Sequence, residues 1–417
     1  MPASERRLDR FEFILLCLFA IALPLVEAPK NIFWALFLLL WLGNSLRRRD
    51  FGTLALPWDC LFAGLFLVPL ASLLNTAYTP QWKELGDIAG YVSLGWILAR
   101  SRLDARQVRL LIYCLIGATL AGVLHGYWVL ATEPKRIWLQ LNSVGHVNHS
   151  ALYGAGIAIL AAALAAVSGR LHQHRECRIG LVAALLMLGV MIGFASRGAL
   201  VAYLLGVLPC VLLLGGMRLR TFAAVCVAAV VFGAGTQWLT SELTGSKNNQ
   251  TLLQKTVEGV EQGHLSSFRL QAFHTATEMA RQFPLTGVGP ANFRAVSPEM
   301  LEGWVRARGE PFERQDYFFA DHAHGIYANT LAERGLLGIG ILAVLGVSWL
   351  AALIRRLPGD QGSELARLAW GAGLAGFTVV FVGGLFNTTL HHEHGMLAMI
   401  CLGLLLSGAP QRSRSAA

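Results

Sequence analysis

Charge is what this chain is short of. Only 14% of its 417 residues are Asp, Glu, Lys or Arg, where a soluble chain carries about 25%. The 25 acidic residues never form an Asp-x-Asp pair, the arrangement with which many sugar transferases hold a metal on a diphosphate, so an enzyme here would have to neutralise phosphate with arginines instead. No Gly-x-x-x-x-Gly-Lys-Ser/Thr loop occurs, which excludes a nucleotide motor of that kind. The seven cysteines (17, 60, 114, 177, 210, 226 and 401) fall in apolar runs or in one short basic connection, and none lies in residues 240–334. Neither a disulfide framework nor a cysteine zinc site is therefore expected in that stretch. No repeat of fixed period and no low-complexity linker divides the chain.

What the chain has instead is apolar length. It is 55% hydrophobic with a mean hydropathy of +0.53. Twelve apolar runs stand near 11–28, 31–46, 56–74, 84–99, 107–130, 147–167, 178–195, 198–217, 220–239, 335–354, 366–386 and 394–410. Crossing the hydrocarbon takes about 20 apolar residues with every backbone group paired internally, which means helices. The expected fold is thus all-α: a polytopic membrane protein of about 12 transmembrane helices, forming a single membrane domain over 1–417. The second run is short and is expected to extend or tilt.

The net charge of +9 does not point to nucleic acid, because its distribution follows the membrane. Arg6, Arg7 and Arg10 precede span one; Arg47–Arg49 follow span two; Arg100, Arg102, Arg106 and Arg109 follow span four. The bias recurs at Arg170, Arg175 and Arg178, at Arg218 and Arg220, at Arg355, Arg356 and Arg367, and at Arg412 and Arg414. The alternate short connections hold mostly single cations such as Lys30 and Lys83. By the positive-inside rule both termini are expected in the cytoplasm. The first run is kept as a helix rather than a cleaved signal, because its removal leaves an odd number of spans.

One connection on the outer side is far longer than the rest. Residues 240–334, between spans nine and ten, are expected to be a mainly helical periplasmic insertion. Phe268, Ala272, Ala276, Met279 and Phe283 recur at helical spacing, Pro284 stops that helix, and Gly287, Gly289 and Pro290 make a tight turn. A second short helix is expected from Pro298 through Trp304. A third is expected over His322–Arg334, with Asp321 as its N-cap.

Three residues here are candidates for chemistry. Arg197, in the short outward turn between spans seven and eight, runs against the charge bias; alone it reads as an arginine snorkelling to headgroups. Arg269 opens the insertion's first helix, the wrong end for the helix dipole unless an anion docks there; alone it reads as a solvated surface residue. His324 is a side chain suited to accept a proton near neutral pH, and Asp321 precedes it by three; alone it reads as a hydrogen-bonded interfacial histidine. His146-Val-Asn-His149 and His391-His-Glu-His394 offer metal-ligand types but no standard spacing, and polar residues lining a cavity are the alternative. Few charges fall mid-span, and neither inverted repeats nor broken helices are evident, which speaks against an ion-coupled transporter or flippase.

The segment His324-Gly-Ile-Tyr-Ala-Asn-Thr-Leu-Ala-Glu-Arg-Gly335 meets a pattern of histidine, ten residues and glycine. With Arg269 and the following Phe-Pro-Leu-Thr-Gly-Val-Gly-Pro-Ala-Asn-Phe (283–293), and with Ser196-Arg197, it resembles the bacterial O-antigen ligase (WaaL) family. That family shares a superfamily with O-antigen polymerases and protein O-oligosaccharyltransferases. The departure is at Arg197, where the family's leucine four residues on is replaced by Val201, with Leu200 at three. The resemblance implies transfer of a glycan from undecaprenyl diphosphate to lipid A–core at the periplasmic face of the inner membrane, with no metal or other cofactor. His324, Arg197 and Arg269 would be catalytic. Arg197, Arg269, His322, Asp321, Tyr327, Arg136, His146 and His394 would contact substrate. The implied partners are the lipid-linked donor, the lipid A–core acceptor and membrane lipids, with no nucleic acid. Protein-modifying members carry extra soluble sequence, so the short stretch Gln411–Ala417 makes the ligase the expectation among the three.

Overall fold

A computed structural model describes residues 6–133, 136, 138–194, 196–215, 219–244 and 267–407. Arg218, Arg412, Arg414 and residues 245–266 of the expected insertion lie outside the described residues. Among the described residues all regular structure is helical, and extended backbone pairs only in an isolated bridge between Arg7 and Arg102.

A helix covers each of the twelve apolar runs: α1 (Arg10–Ala22), α2 (Glu27–Arg48), α3 (Leu56–Leu74), α4 (Trp82–Arg100), α5 (Ala105–Thr132), α6 (Val147–Arg170), α7 (His174–Gly193), α8 (Arg197–Leu214), α9 (Leu219–Thr244), α12 (Ile326–Arg355), α13 (Glu364–Phe377) and α14 (His392–Ser407). The short second run does extend, to 22 residues. Among the described residues, six segments are long and apolar enough to cross a membrane by length and hydropathy: α3, α5, α6, α8, α12 and the stretch Glu364–Leu385. The chain is therefore a multi-pass helical membrane protein. In the long connection lie α10 (Ser267–Gln282) and α11 (Pro298–Ala307).

The helix α6 is the centre of the bundle. Its run of Ala, Gly, Ile and Leu is apolar all round, and every residue from Ser150 to Ser168 is buried. A helix with no polar face belongs inside, and its small side chains let neighbours approach closely. It packs on α7, α8 and α13, while α14 packs between α4 and α13. The arginine-rich connections meet their partners at one end. Arg6 pairs with buried Glu12 (2.7 Å) and lies over Trp41; Arg100 pairs with Asp59 (2.6 Å); Arg356 donates to the last carbonyls of α14 at Leu405 and Leu406. The long connection covers the other end.

That connection has a core of its own. Ala272, Ala276 and Met279 of α10 are fully buried against Val288, Phe293 and Leu301, the face expected from the periodicity. Burying a side chain such as Met279 contributes ~1.5–3 kcal/mol. The helix α11 starts as Pro298 at N1 predicts, with Ser297 accepting from Met300 N.

The connection is also sewn into the membrane helix that follows it. The helix α12 is broken at Gly335, whose φ of 58° and ψ of −153° are non-helical. The break frees backbone groups on both sides. Ala332 and Glu333 carbonyls accept from Val288 N (2.9 Å) and Gly289 N (3.0 Å), and Leu336 and Leu337 amides donate to Pro284 O (2.8 Å) and Leu285 O (3.2 Å). Four orphaned groups at membrane depth would be costly; the 284–289 turn takes all four. The approach is close enough that a Cβ at Gly335 would lie 2.5 Å from Leu285 C, and one at Gly287 2.4 Å from Ala332 O. The break falls where the expected helix ending at Arg334 meets the span starting at 335; a second irregular stretch, at the end of α13, corrects the expectation of one unbroken helix over 366–386. After Phe377 the chain makes one π turn (Thr378–Val382) and one 3-10 turn (Gly383–Leu385). There Thr389 Oγ1 donates to Val380 O and Tyr327 Oη to Phe381 O, both at 2.8 Å.

Candidate functional site

The loop end of the bundle brings together three segments that are far apart in sequence: the start of α8, the start of α10 and residues 320–325 before α12. Arg197 is the first residue of α8 and is half-buried. Phe386 packs against its neighbour Gly198. The same Phe386 ring lies 5.5 Å from the guanidinium carbon of Arg269, with the Phe268 ring at 5.2 Å, so Arg269 is fixed by two cation–π contacts. Arg269 is half-buried and its Nε has no hydrogen-bond partner. Burial, and then the charge of Arg197, push it below the ordinary guanidinium range. Neither arginine pairs with a carboxylate among the described residues. Two guanidiniums held close without a counter-charge make a site for an anion, and a planar fork suits phosphate oxygens.

His324 completes the group. The expected helix over His322–Arg334 with an Asp321 cap does not form at its start. The helix begins at Ile326 with Gly325 as N-cap and no side-chain cap bond. Residues 320–325 are a loop, because His324 adopts a left-handed φ of 51°, a conformation that costs about 1–2 kcal/mol for an ordinary residue and gathers at functional sites. The His324 ring stands edge-on to Phe268 at 5.5 Å and beside Phe318 at 5.8 Å. His322 lies 4.4 Å from it ring to ring. Burial first, then the charges of His322 and Arg269, push the His324 imidazole down to about 4. Burial also lowers His322, against the opposing charge of exposed Asp321. Near neutral pH His324 is thus an uncharged imidazole, a proton acceptor beside a pair of arginines.

A pH prediction follows from that state. In kcat/KM, which reports the free enzyme, activity holds as pH falls past 6.5, where an unshifted histidine would begin to fail, and drops only near the His324 value of about 4. The neutral form is the base, so the loss is on the acid side. A pH–rate profile with its acid limb near 6.5 would refute the assignment.

The remaining expected contacts divide. His146 caps α6, its Nδ1 accepting from Asn148 N, at the rim 6.3 Å from His149, whose ring is 6.1 Å from His322. His394 is inside the protein, its Nε2 2.6 Å from His149 O, joining α14 to α6. The Tyr327 hydroxyl is tied to the π turn. Arg136 pairs with Glu133 after α5 and is not brought to the group. Among the described residues no cluster of three or more His, Cys, Asp or Glu is arranged to hold a metal ion.

An adjoining cavity of about 300 Å³ is lined by residues of α4, α12 and the start of α14 together with His322 and Asp321. His149, His391 and His392 line it, which is the cavity-lining alternative for their two clusters, whereas its α4 acids are not singled out from the sequence. Its acids Glu84 and Asp87 come from α4, and Glu84 Oε2 and Asp87 Oδ2 lie 3.7 Å and 3.3 Å from nitrogens of His391 and His392. Acids inside an otherwise apolar run are costly unless they serve a cavity, and that was the available signal.

Residues 182–343 match the O-antigen ligase family. The matched segment holds Arg197, Arg269, His322, His324 and Gly335, and supports the O-antigen ligase superfamily and a glycosyltransferase-like activity of the ligase or polymerase type. No curated protein matches the chain. For a superfamily that handles lipid-linked glycans in membranes, an arginine pair and an uncharged histidine at one end of a helical bundle are chemically apt.

Proposed function

We propose that this protein is an O-antigen ligase that moves polysaccharide from undecaprenyl diphosphate to a hydroxyl of lipid A–core, at the periplasmic face of the bacterial inner membrane and without a metal ion. The observation that carries the reading is the convergence of Arg197, Arg269 and His324 from segments more than fifty residues apart, two cations without a carboxylate beside a neutral base. His324 takes the proton of the acceptor hydroxyl as its oxygen bonds to the anomeric carbon. The bond from that carbon to the diphosphate breaks, and its electrons leave on the phosphate oxygen. Arg197 and Arg269 stabilise that charge, and the diphosphate or solvent later takes the proton from His324. One in-line displacement inverts the anomeric centre. The irregular backbone at Gly335 and 378–385 is filled by protein groups, which favours a rigid scaffold over the ion-binding breaks of a transporter.

The test is transfer by purified protein supplied with undecaprenyl-diphosphate-linked glycan and lipid A–core in EDTA. Glycan attached to core is the expected product. Longer glycan without core would make the protein a polymerase, abolition by EDTA would require a metal, and donor binding with no covalent product would indicate transport. Arg197→Lys and Arg269→Lys are each expected to lose on the order of 10²–10³ in rate, because a point charge lacks the two-pronged fork. Full activity in the lysine variants would remove the bidentate phosphate role.

A further inference from the structure

His324 is near two environments of different chemistry. One is the arginine group, Arg269 beside His324 and Arg197 beside Arg269. The other, reached through His322, is the cavity of about 300 Å³, whose lining mixes four carboxylates and three cations with imidazoles and threonine. We infer that this cavity, built on Glu84, Asp87, Arg334, Thr388 and His391, is the subsite for the acceptor's sugar ring, a position that rests on the transferase reading above.

The lining decides the ligand class. A phosphate or other polyanion would face Glu84 and Asp87, and has a better place at Arg197 and Arg269. An apolar chain would desolvate the charges at a large cost. Sugar hydroxyls both donate and accept, so they suit a lining that offers both. Three polar atoms of these residues are buried without a hydrogen-bond partner: Arg334 Nε, a donor; Thr388 Oγ1, a donor and acceptor; and His391 Nδ1. Thr388 itself is only 9% exposed. Buried polar atoms are nearly always satisfied, so three unpartnered ones on residues of one cavity wall are hydrogen-bonding capacity that the protein's own groups leave unused. The volume is at the lower end for small-molecule sites, enough for one or two rings and not for a polysaccharide.

Position supports the same conclusion. His322 lines the cavity and stands 4.4 Å from His324. A ring held by Glu84, Asp87 and Arg334 would present a hydroxyl past His322 to the base, while the donor diphosphate occupies the arginine side.

The test combines kinetics with binding in the purified full chain. The variant is Glu84→Gln with Asp87→Asn, which keeps shape and removes both charges. Its KM for lipid A–core is expected to rise on the order of tenfold or more, with KM for the lipid-linked donor unchanged. In calorimetry without donor, core oligosaccharide cleaved from lipid A is expected to bind wild type and His324→Asn alike and to lose binding to the double variant. Equal binding of that oligosaccharide to wild type and double variant overturns the subsite. So does a parallel rise of both KM values with a lowered melting temperature, which would make the acids structural. Failure of the ligase reading has a different signature: no transfer to core, with delipidated repeat-unit glycan bound in place of core and lost on the same two substitutions, leaves the subsite standing and changes its occupant.

Discussion

His324→Asn lowers glycan transfer by on the order of 10²–10⁴, the usual worth of a positioned general base, and leaves the melting temperature where it was. The choice of asparagine comes from the backbone. His324 is held at φ 51°, where asparagine is tolerated and alanine is strained. His324→Ala therefore mixes loss of the base with relaxation of the 320–325 loop and of its contacts to Phe268 and Phe318. Asparagine keeps a polar group of similar reach and the same loop geometry but cannot accept and carry the proton. Steady-state transfer rates and thermal melts in the same detergent check both halves. Activity within a few-fold of wild type would mean that His324 only orients the acceptor and that proton removal lies elsewhere, with His322 at 4.4 Å the next group to replace.

Gly335→Ala has the largest effect on stability, about 2–6 kcal/mol, combining a glycine-only backbone conformation with a methyl forced into a filled space. Its φ of 58° and ψ of −153° lie outside what a side chain accepts, and the added carbon would meet Leu285 C at 2.5 Å and Pro284 O at 2.6 Å. The 284–289 turn would be pushed off α12 and four hydrogen bonds lost with it. The matched control is Gly340→Ala on the same helix, where nothing lies within 4 Å of the new carbon; that change is expected to be neutral or slightly stabilising. Thermal melts of the two proteins decide it. Equal melting temperatures would mean that the turn does not hold the helix. Transfer activity should fall with Gly335→Ala as well, since the turn and the helix that follows His324 move together.

Local chemistry made most of the helices legible. Long apolar runs fixed where the bundle helices lie, the 272–276–279 spacing gave the buried face of α10, and Pro298 marked the start of α11. The failures have a common cause in non-local contacts. Asp321 has the right residue type for an N-cap, but a left-handed histidine three residues later ends any helix there, and nothing in the pattern of apolar residues reports a positive φ at a histidine. The run 366–386 reads as one span, yet its last turns unwind where Tyr327, distant in sequence, and Thr389, just past the run, take its carbonyls. Arg197, Arg269 and His324 could be singled out one at a time for being out of place; that they meet depends on Phe268 and Phe386, which look like any other core aromatic. That Glu84 and Asp87 join the histidines of the cavity was hidden for the same reason, since Glu84 and His391 come within 3.7 Å across some three hundred residues of chain.

The break in α12 also sets where the protein can be cut and rejoined. All four hydrogen bonds of the seam between the 284–289 turn and α12 are made with residues 332–337 of that helix. A graft that exchanges the connection at its apparent borders, leaving α12 behind, would separate each partner of that seam from its match. Chimaeras meant to trade acceptor preference should therefore carry the segment through at least Leu337, so that both edges of the seam come from one parent.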